Sequence, residues 1–164
     1  MPQMKVLYSA PSPRFVWRRD WKWFLALAVL VYLVCLAVRL LEYPAWGHPG
    51  LRVDGGPILA THDSYFWLAG AEGVRPVYDS ALSLLTRGFA AVTGLSLPWV
   101  AFWFPAILGS LTAVATLAWG WMLGGRWAGL AAGFLGGLAP GFFSRTRLGY
   151  YDTDMFTLLM PMLV

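Results

Sequence analysis

The segment Leu97–Leu123, LPWVAFWFPAILGSLTAVATLAWGWML, contains no charged residue and decides the class of fold. About 20 mostly apolar residues suffice to cross the roughly 30 Å hydrocarbon core of a bilayer. Three more apolar segments accompany it, at 23–41, 127–143 and 155–164. Of the 164 residues 59% are hydrophobic and only 12% are charged, about half the charged share of a soluble domain. The sequence therefore predicts an all-α, polytopic membrane helix bundle and argues against a water-soluble enzyme.

Basic residues and turns between the apolar segments predict how the chain is threaded through the membrane. Five basic residues lie in the N-terminal tail, 1–22, before the first span: Lys5, Arg14, Arg18, Arg19 and Lys22. Because cytoplasmic flanks are enriched in Lys and Arg, we expect this tail, and a short turn at 124–126, on the cytoplasmic side of the inner (plasma) membrane. Two extracytoplasmic loops are then expected at 42–96 and 144–154. The first span is typical of an uncleaved signal anchor, with Arg39 reaching back to the interface.

Two periodic patterns predict how the elements around the spans pack. The segment 78–92 in the first loop is amphipathic and is expected to lie along the membrane surface or to cover the bundle. Its apolar face holds Leu82, Leu85, Phe89 and Val92. In the third span a glycine recurs every fourth residue, at Gly129, Gly133, Gly137 and Gly141. This spacing puts the glycines on one helix face and predicts close approach of a partner helix.

The second loop, 144–154, has the sequence SRTRLGYYDTD and concentrates the reactive side chains. In an extended or turn segment Asp152 and Asp154 point to the same side, so together they could grip one cation. Carboxylate oxygens suit Mg²⁺ or Mn²⁺, ions that commonly serve phosphate groups. Asp63 lies beyond the first span on the same outer side and is a third candidate ligand.

Other interpretations of these side chains stay open from the residues alone. An Asp-x-Asp pair is also common as a solvated or helix-capping pair without a metal. His62 is an alternative ligand to Asp63, although a histidine beside an aspartate is more often a surface hydrogen-bonding group. Arg145 and Arg147 could add charge-assisted hydrogen bonds to a phosphate.

These motifs resemble the N-terminal part of oligosaccharyltransferase catalytic subunits, and they look most like the bacterial or archaeal single-subunit type. The resemblance rests on three stretches: Ser144-Arg145-Thr146, Gly149-Tyr150-Tyr151-Asp152-Thr153-Asp154-Met155, and His62-Asp63-Ser64-Tyr65. The order of tail, span, long outer loop, two spans and second acidic motif fits as well. The resemblance implies the N-terminal portion of a membrane-embedded (C-type) glycosyltransferase fold.

The resemblance also implies a reaction. The family transfers an oligosaccharide from a polyprenyl-diphosphate carrier to the side-chain amide of Asn in an acceptor polypeptide with an Asn-x-Ser/Thr sequon. By analogy, Asp63 is the catalytic residue that ligates a divalent metal, Mn²⁺ or Mg²⁺, and contacts the acceptor amide. Asp152 and Asp154 are implied as further metal ligands, and Arg145 as a residue that binds the lipid diphosphate. The metal would stabilise the charge that develops on the diphosphate leaving group.

Parts that the resemblance implies do not occur within these 164 residues. The family also uses a Glu in a later outer loop, a Trp-Trp-Asp motif in a C-terminal domain and many further spans, whereas the apolar segment 155–164 stops after ten residues. We therefore expect the chain to be an N-terminal fragment that lacks transferase activity by itself. Its expected partners are lipid-linked oligosaccharide, acceptor polypeptide, membrane lipids and the remainder of the enzyme.

Two alternative functions compete with this interpretation. A polyprenyl-phosphate-sugar transferase related to protein O-mannosyltransferases would place an Asp-Glu pair in the first loop, which Thr61-His62-Asp63-Ser64 does not match. A non-catalytic membrane scaffold would carry the same acids as surface residues only. No nucleic-acid partner is expected, because the net charge of +4 comes from basic residues that flank a span.

Overall fold

The computed structural model describes residues 17–53 and 55–163, and nearly all of their regular structure is helical. The helices are, in chain order, α1 (Trp17–Leu40), α2 (His62–Ala71), α3 (Ala81–Thr93), α4 (Leu97–Leu138), α5 (Pro140–Ser144) and α6 (Asp154–Met162). Between α1 and α4 lie 3₁₀ turns at Tyr43–Gly47, Pro49–Leu51 and Val77–Asp79, and an antiparallel hairpin of β1 (Arg52–Val53) and β2 (Gly56–Pro57). Most of the predicted cytoplasmic tail, 1–16, lies outside the described residues, as do Asp54 and Val164.

Two of the described helices are long and apolar enough to cross a membrane, namely α1, over Arg19–Leu40, and α4. Helix α4 is two helices joined at Gly125, whose φ of 79° and ψ of −175° lie outside the helical region. Glycine adopts this conformation readily because it has no Cβ. The chain reverses there, since Gly129 lies against the backbone of Leu117 and Gly133 against that of Ala113. The two limbs of α4, 97–124 and 126–138, therefore form an antiparallel helical hairpin.

The glycines of the second limb pack as closely as their spacing predicts, with one exception. A Cβ added at Gly129 would lie 2.8 Å from the carbonyl oxygen of Leu117, and one at Gly137 would lie 2.6 Å from Sγ of Cys35 in α1. A Cβ added at Gly133 would lie 3.1 Å from the carbonyl oxygen of Ala113 and 3.1 Å from Cγ1 of Val31 in α1, so the second limb fits between the first limb and α1. The prediction is wrong for Gly141, where nothing lies within 4 Å of an added Cβ. The helix has already ended at Leu138, and Gly141 belongs to the separate helix α5.

The prediction that Arg39 extends to the membrane interface is wrong. The side chain is 0% exposed and donates hydrogen bonds to four acceptors inside the bundle. These are the carbonyl oxygens of Cys35 (3.2 Å), Gly137 (2.9 Å) and Thr146 (3.0 Å), and Oγ1 of Thr146 (2.7 Å). The end of the second limb leaves carbonyl groups without helical partners. Arg39 turns inward because the carbonyl of Gly137 in this last turn, and the carbonyl and hydroxyl of Thr146 in the following loop, accept its guanidinium there.

The amphipathic segment of the first loop forms α3, which begins three residues later than predicted. Oγ of Ser80 accepts a hydrogen bond from the backbone N–H of Ser83 at 3.1 Å and so caps the helix. Leu82 and Thr86 are buried against the bundle, whereas Leu85, Phe89 and Val92 are exposed. The exposed apolar side chains accord with a position along the membrane surface.

Candidate functional site

The second loop, 144–154, is anchored in the protein by its backbone. The N–H of Leu148 donates to Oε1 of Glu42 at 2.9 Å, directly after α1. The N–H of Gly149 donates to the carbonyl of Phe102 at 2.9 Å, and the carbonyl of Gly149 accepts from the N–H of Ala60 at 2.8 Å. The loop therefore links the end of α1, the first loop and the first limb of α4.

Two buried side chains of this loop pack into the protein core. Leu148 and Tyr151 are both 0% exposed and belong to a core cluster with Val100 and Phe102 of α4. The phenol of Tyr151 shares a hydrogen bond with Oγ1 of Thr86 in α3. Burial raises the pKa of Tyr151 to about 12, against smaller opposing effects of this hydrogen bond and of the nearby Arg87. Tyr151 therefore stays neutral at physiological pH and fixes the backbone next to Asp152.

Asp152 is held by the first loop. Its Oδ1 accepts a hydrogen bond of 3.0 Å from Nε1 of Trp67 in α2, and also accepts from the backbone N–H of Thr153. Trp67 lies one helical turn after Asp63, so the two side chains share a face of α2. Asp63 itself is exposed in the first turn of the helix, where a carboxylate is favoured by the helix dipole. The Trp67–Asp152 hydrogen bond thus docks the helix that carries Asp63 onto the second acidic motif.

Asp154 is paired with Arg145. It is the first residue of α6, and its Oδ2 accepts from Nη1 of Arg145 at 3.0 Å. The hydrogen bond and the charge of Asp154 raise the pKa of the Arg145 guanidinium. The guanidinium is largely exposed, so it can exchange this carboxylate for another anion at low cost.

The predicted metal ligands do not form a three-ligand centre as placed. In the part of the chain that the structure describes, no group of three or more His, Cys, Asp or Glu side chains is arranged to hold a metal ion. Carboxylate oxygens are a suitable donor type for Mg²⁺ or Mn²⁺. However, Asp152 accepts two N–H groups through Oδ1, and Asp154 is engaged by Arg145. The assignment of Asp63, Asp152 and Asp154 as metal ligands stays a prediction.

Two residues of the site were missed by reasoning from the sequence. Glu42 binds the second loop through Leu148 and lies 3.8 Å from Arg147, and burial raises the pKa of its carboxyl against the weaker opposing effects of these two partners. The only feature of the sequence that could have indicated this role was the position of Glu42 directly after the first span. Trp67 lay four residues after Asp63, a spacing that places both on one side of a helix. Nothing in the sequence indicated that its partner was Asp152, because the two lie 85 residues apart.

The same region matches a known family. A family model described as "Oligosaccharyl transferase STT3, N-terminal" matches residues 45–164. The matched range covers nearly three quarters of the chain and contains both acidic motifs. No curated protein matches the chain.

Proposed function

The chain belongs to the oligosaccharyl transferase STT3 family, and we propose that it supplies part of the site that transfers a glycan from a polyprenyl-diphosphate carrier to the Asn amide of an Asn-x-Ser/Thr sequon. Family membership confirms the predicted resemblance and the predicted all-α membrane helix bundle. It favours a glycosyltransferase of this family over the O-mannosyltransferase-like and scaffold alternatives. Orientation in the inner membrane, with a cytoplasmic N-terminus, stays a prediction.

The hydrogen bond between Trp67 and Asp152 is the observation that carries the proposal. It joins the helix that carries Asp63 to the second acidic motif, although 85 residues separate Trp67 from Asp152. Asp63, exposed on the docked helix, would accept a hydrogen bond from the acceptor amide. Arg145 would release Asp154 and bind the diphosphate of the carrier, because guanidinium pairs well with phosphate oxygens. Mn²⁺ or Mg²⁺ is the predicted cofactor, with Asp63, Asp152 and Asp154 as its predicted ligands.

Chromosomal substitution of Asp152 tests this proposal in the protein as the cell makes it. We expect Asp152→Asn to lower glycosylation of a sequon-bearing reporter by about a hundredfold, a magnitude typical for loss of one stabilising group at a catalytic site. Asp79→Asn is the matched control, since Asp79 is an exposed acid of the first loop outside the site. Glycosylation is measured by the gel shift of the reporter. Full glycosylation with Asp152→Asn would contradict the proposed function.

We also propose that the 164-residue chain does not turn over by itself, because the later Glu and the Trp-Trp-Asp motif that the family resemblance implies do not occur within these 164 residues. The purified chain is incubated with lipid-linked oligosaccharide, a fluorescent sequon peptide and Mn²⁺, and the glycopeptide is sought by mass spectrometry. Formation of glycopeptide would refute this part of the proposal and leave the rest intact.

A further inference from the structure

A cavity of about 590 Å³ lies at the end of the bundle where α1 begins and α4 reverses. Its walls include Arg19 and Trp23 of α1 and Trp121, Arg126 and Trp127 around the reversal. Twenty helical residues separate Arg19 from Arg39, which corresponds to roughly 30 Å along the axis. The cavity is therefore at the opposite end of the bundle from the acidic loops and takes no part in the proposed transfer site.

The charge of the cavity is positive. Arg19 forms an ion pair of 2.8 Å with Asp20, which also lines the cavity, so these two charges offset each other. Arg126 forms no ion pair with any residue that the structure describes. Its guanidinium lies instead 5.8 Å from the ring centre of Trp23 and 5.2 Å from that of Trp127. One guanidinium held between aromatic rings is thus available to an anion.

The backbone adds to this preference for an anion. The break at Gly125 starts a new helical limb beside Arg126. Helix N-termini carry a partial positive charge and unpaired N–H groups. The guanidinium and the start of this helical limb therefore both favour an anion in the cavity.

The tryptophans around the cavity indicate that the anion would bind at the level of the lipid headgroups. Trp23 and Trp127 are exposed at the end of apolar helices, which is where indole rings lie at the headgroup level of a bilayer. We propose that this cavity binds a phosphate group, with the guanidinium of Arg126 as its main ligand and the indoles against the apolar atoms next to it. The phosphate belongs either to the headgroup of an anionic phospholipid or to a soluble phosphate compound, and the experiment below distinguishes the two.

Native mass spectrometry of the full 164-residue chain in neutral detergent tests the lipid source. Equal amounts of phosphatidylglycerol and phosphatidylcholine are added, and the fraction of protein that carries one molecule of each is counted. We expect about fivefold more phosphatidylglycerol, since one basic residue near a membrane surface favours an anionic lipid by about this factor. The Arg126→Gln variant should bind both lipids equally, while Arg126→Lys should keep part of the preference.

Lys22→Gln is the matched control. Lys22 lies at the same end of α1 and contacts the ring of Trp21, but it does not line the cavity, so this variant removes the same charge and should keep the fivefold preference. In a parallel experiment inorganic phosphate alone is added without lipid. A phosphate adduct that Arg126→Gln abolishes, without any lipid preference, would assign the site to a soluble phosphate compound. The proposal would be overturned if the unaltered chain bound both lipids equally and formed no phosphate adduct. It would also be overturned if Arg126→Gln and Lys22→Gln lowered the preference for phosphatidylglycerol by the same amount. Circular dichroism verifies that each variant keeps its helical content.

Discussion

At the scale of single residues, Arg39 shows how a buried cation can organise a membrane bundle. No carboxylate among the described residues pairs with it, and its partners are three carbonyl oxygens, one hydroxyl and the rings of Phe142 and Phe143. An enclosed charge without hydrogen-bond partners would cost several kcal/mol. Because Arg39 contacts both Gly137 and Thr146, it ties α1 to the point where the second limb of α4 leads into the second loop.

Trp67→Phe tests the hydrogen bond that docks the two acidic motifs. Phenylalanine keeps most of the packing but removes the N–H donor to Asp152, so we expect the free energy of unfolding to fall by about 2 kcal/mol. The measurement is unfolding in sodium dodecyl sulfate, followed by circular dichroism. Trp99→Phe is the control, since Trp99 is also half-buried but makes only ring contacts among the described residues. A double-mutant cycle with Asp152→Ala, which removes the acceptor that Asn would keep, should show a coupling above about 0.5 kcal/mol, and strict additivity would contradict the direct contact.

Tyr151 predicts a pH dependence of stability in the alkaline range. Its pKa is about 12 in the folded protein, above the ordinary value of 10.0, so the folded state binds this proton more tightly than the unfolded state. The resulting stability is fully present below about pH 10 and is lost as the pH rises through 12. The loss should be on the order of 2 kcal/mol.

To isolate this effect, the free energy of unfolding is measured against pH between pH 9.5 and about 12 in the same assay, and the slopes of the variants are compared. Tyr151→Phe should lack the decline that Tyr151 contributes, although its stability at pH 8 is lower because the Thr86 partner is lost. Tyr150→Phe, which leaves Tyr151 in place, should keep the decline. An identical slope in all three proteins would show that Tyr151 is not the titrating group.

At the scale of elements, the second limb of α4 depends on close approach rather than on large side chains. Gly129 and Gly137 let the limb pack against the first limb and against α1 at distances that a methyl group would not allow, and Gly133 lies almost as close to both. Such packing is favourable in lipid, where burial of apolar surface gives little driving force between helices. The same close approach brings the carbonyl of Gly137 within reach of Arg39.

Gly129→Ala should therefore destabilise the bundle by about 1–3 kcal/mol, because the added methyl group would meet the backbone of Leu117 rather than a movable side chain. Gly141→Ala is the matched control, with open space around its Cβ position, and should change stability by less than about 1 kcal/mol or raise it slightly. Unfolding by sodium dodecyl sulfate measures both variants. Equal stability of the two would contradict the packing described for the second limb.

At the scale of the whole molecule, the two ends of the bundle have different chemistry. One end carries the acidic motifs with Asp63, Asp152 and Asp154, and the other carries the cavity around Arg126. The predicted orientation places the acidic end outside the cell and the cavity inside, since basic residues favour the cytoplasmic side.

Labelling of introduced cysteines tests this orientation. The native Cys35 is buried and should not react. A membrane-impermeant maleimide should label Glu72→Cys, in the first loop, in intact spheroplasts, and should label Lys22→Cys only after the membrane is permeabilised. Both positions are exposed, so the difference reports the side of the membrane. The opposite pattern would reverse the predicted orientation.

Local information in the sequence was enough to predict the class of fold and to select the candidate site residues. Long uncharged segments require helices in lipid, because every backbone N–H and C=O must be paired within its own segment. The acidic motifs of this charge-poor chain also indicated its family, which the family match confirms. Only the tertiary structure decided that Arg39 points inward, that Trp67 binds Asp152, that Arg145 engages Asp154 and that Gly141 stands apart from the other glycines. Each of these depends on where distant backbone segments leave a carbonyl, a carboxylate or an open space, and residue spacing along the chain carries no information about that.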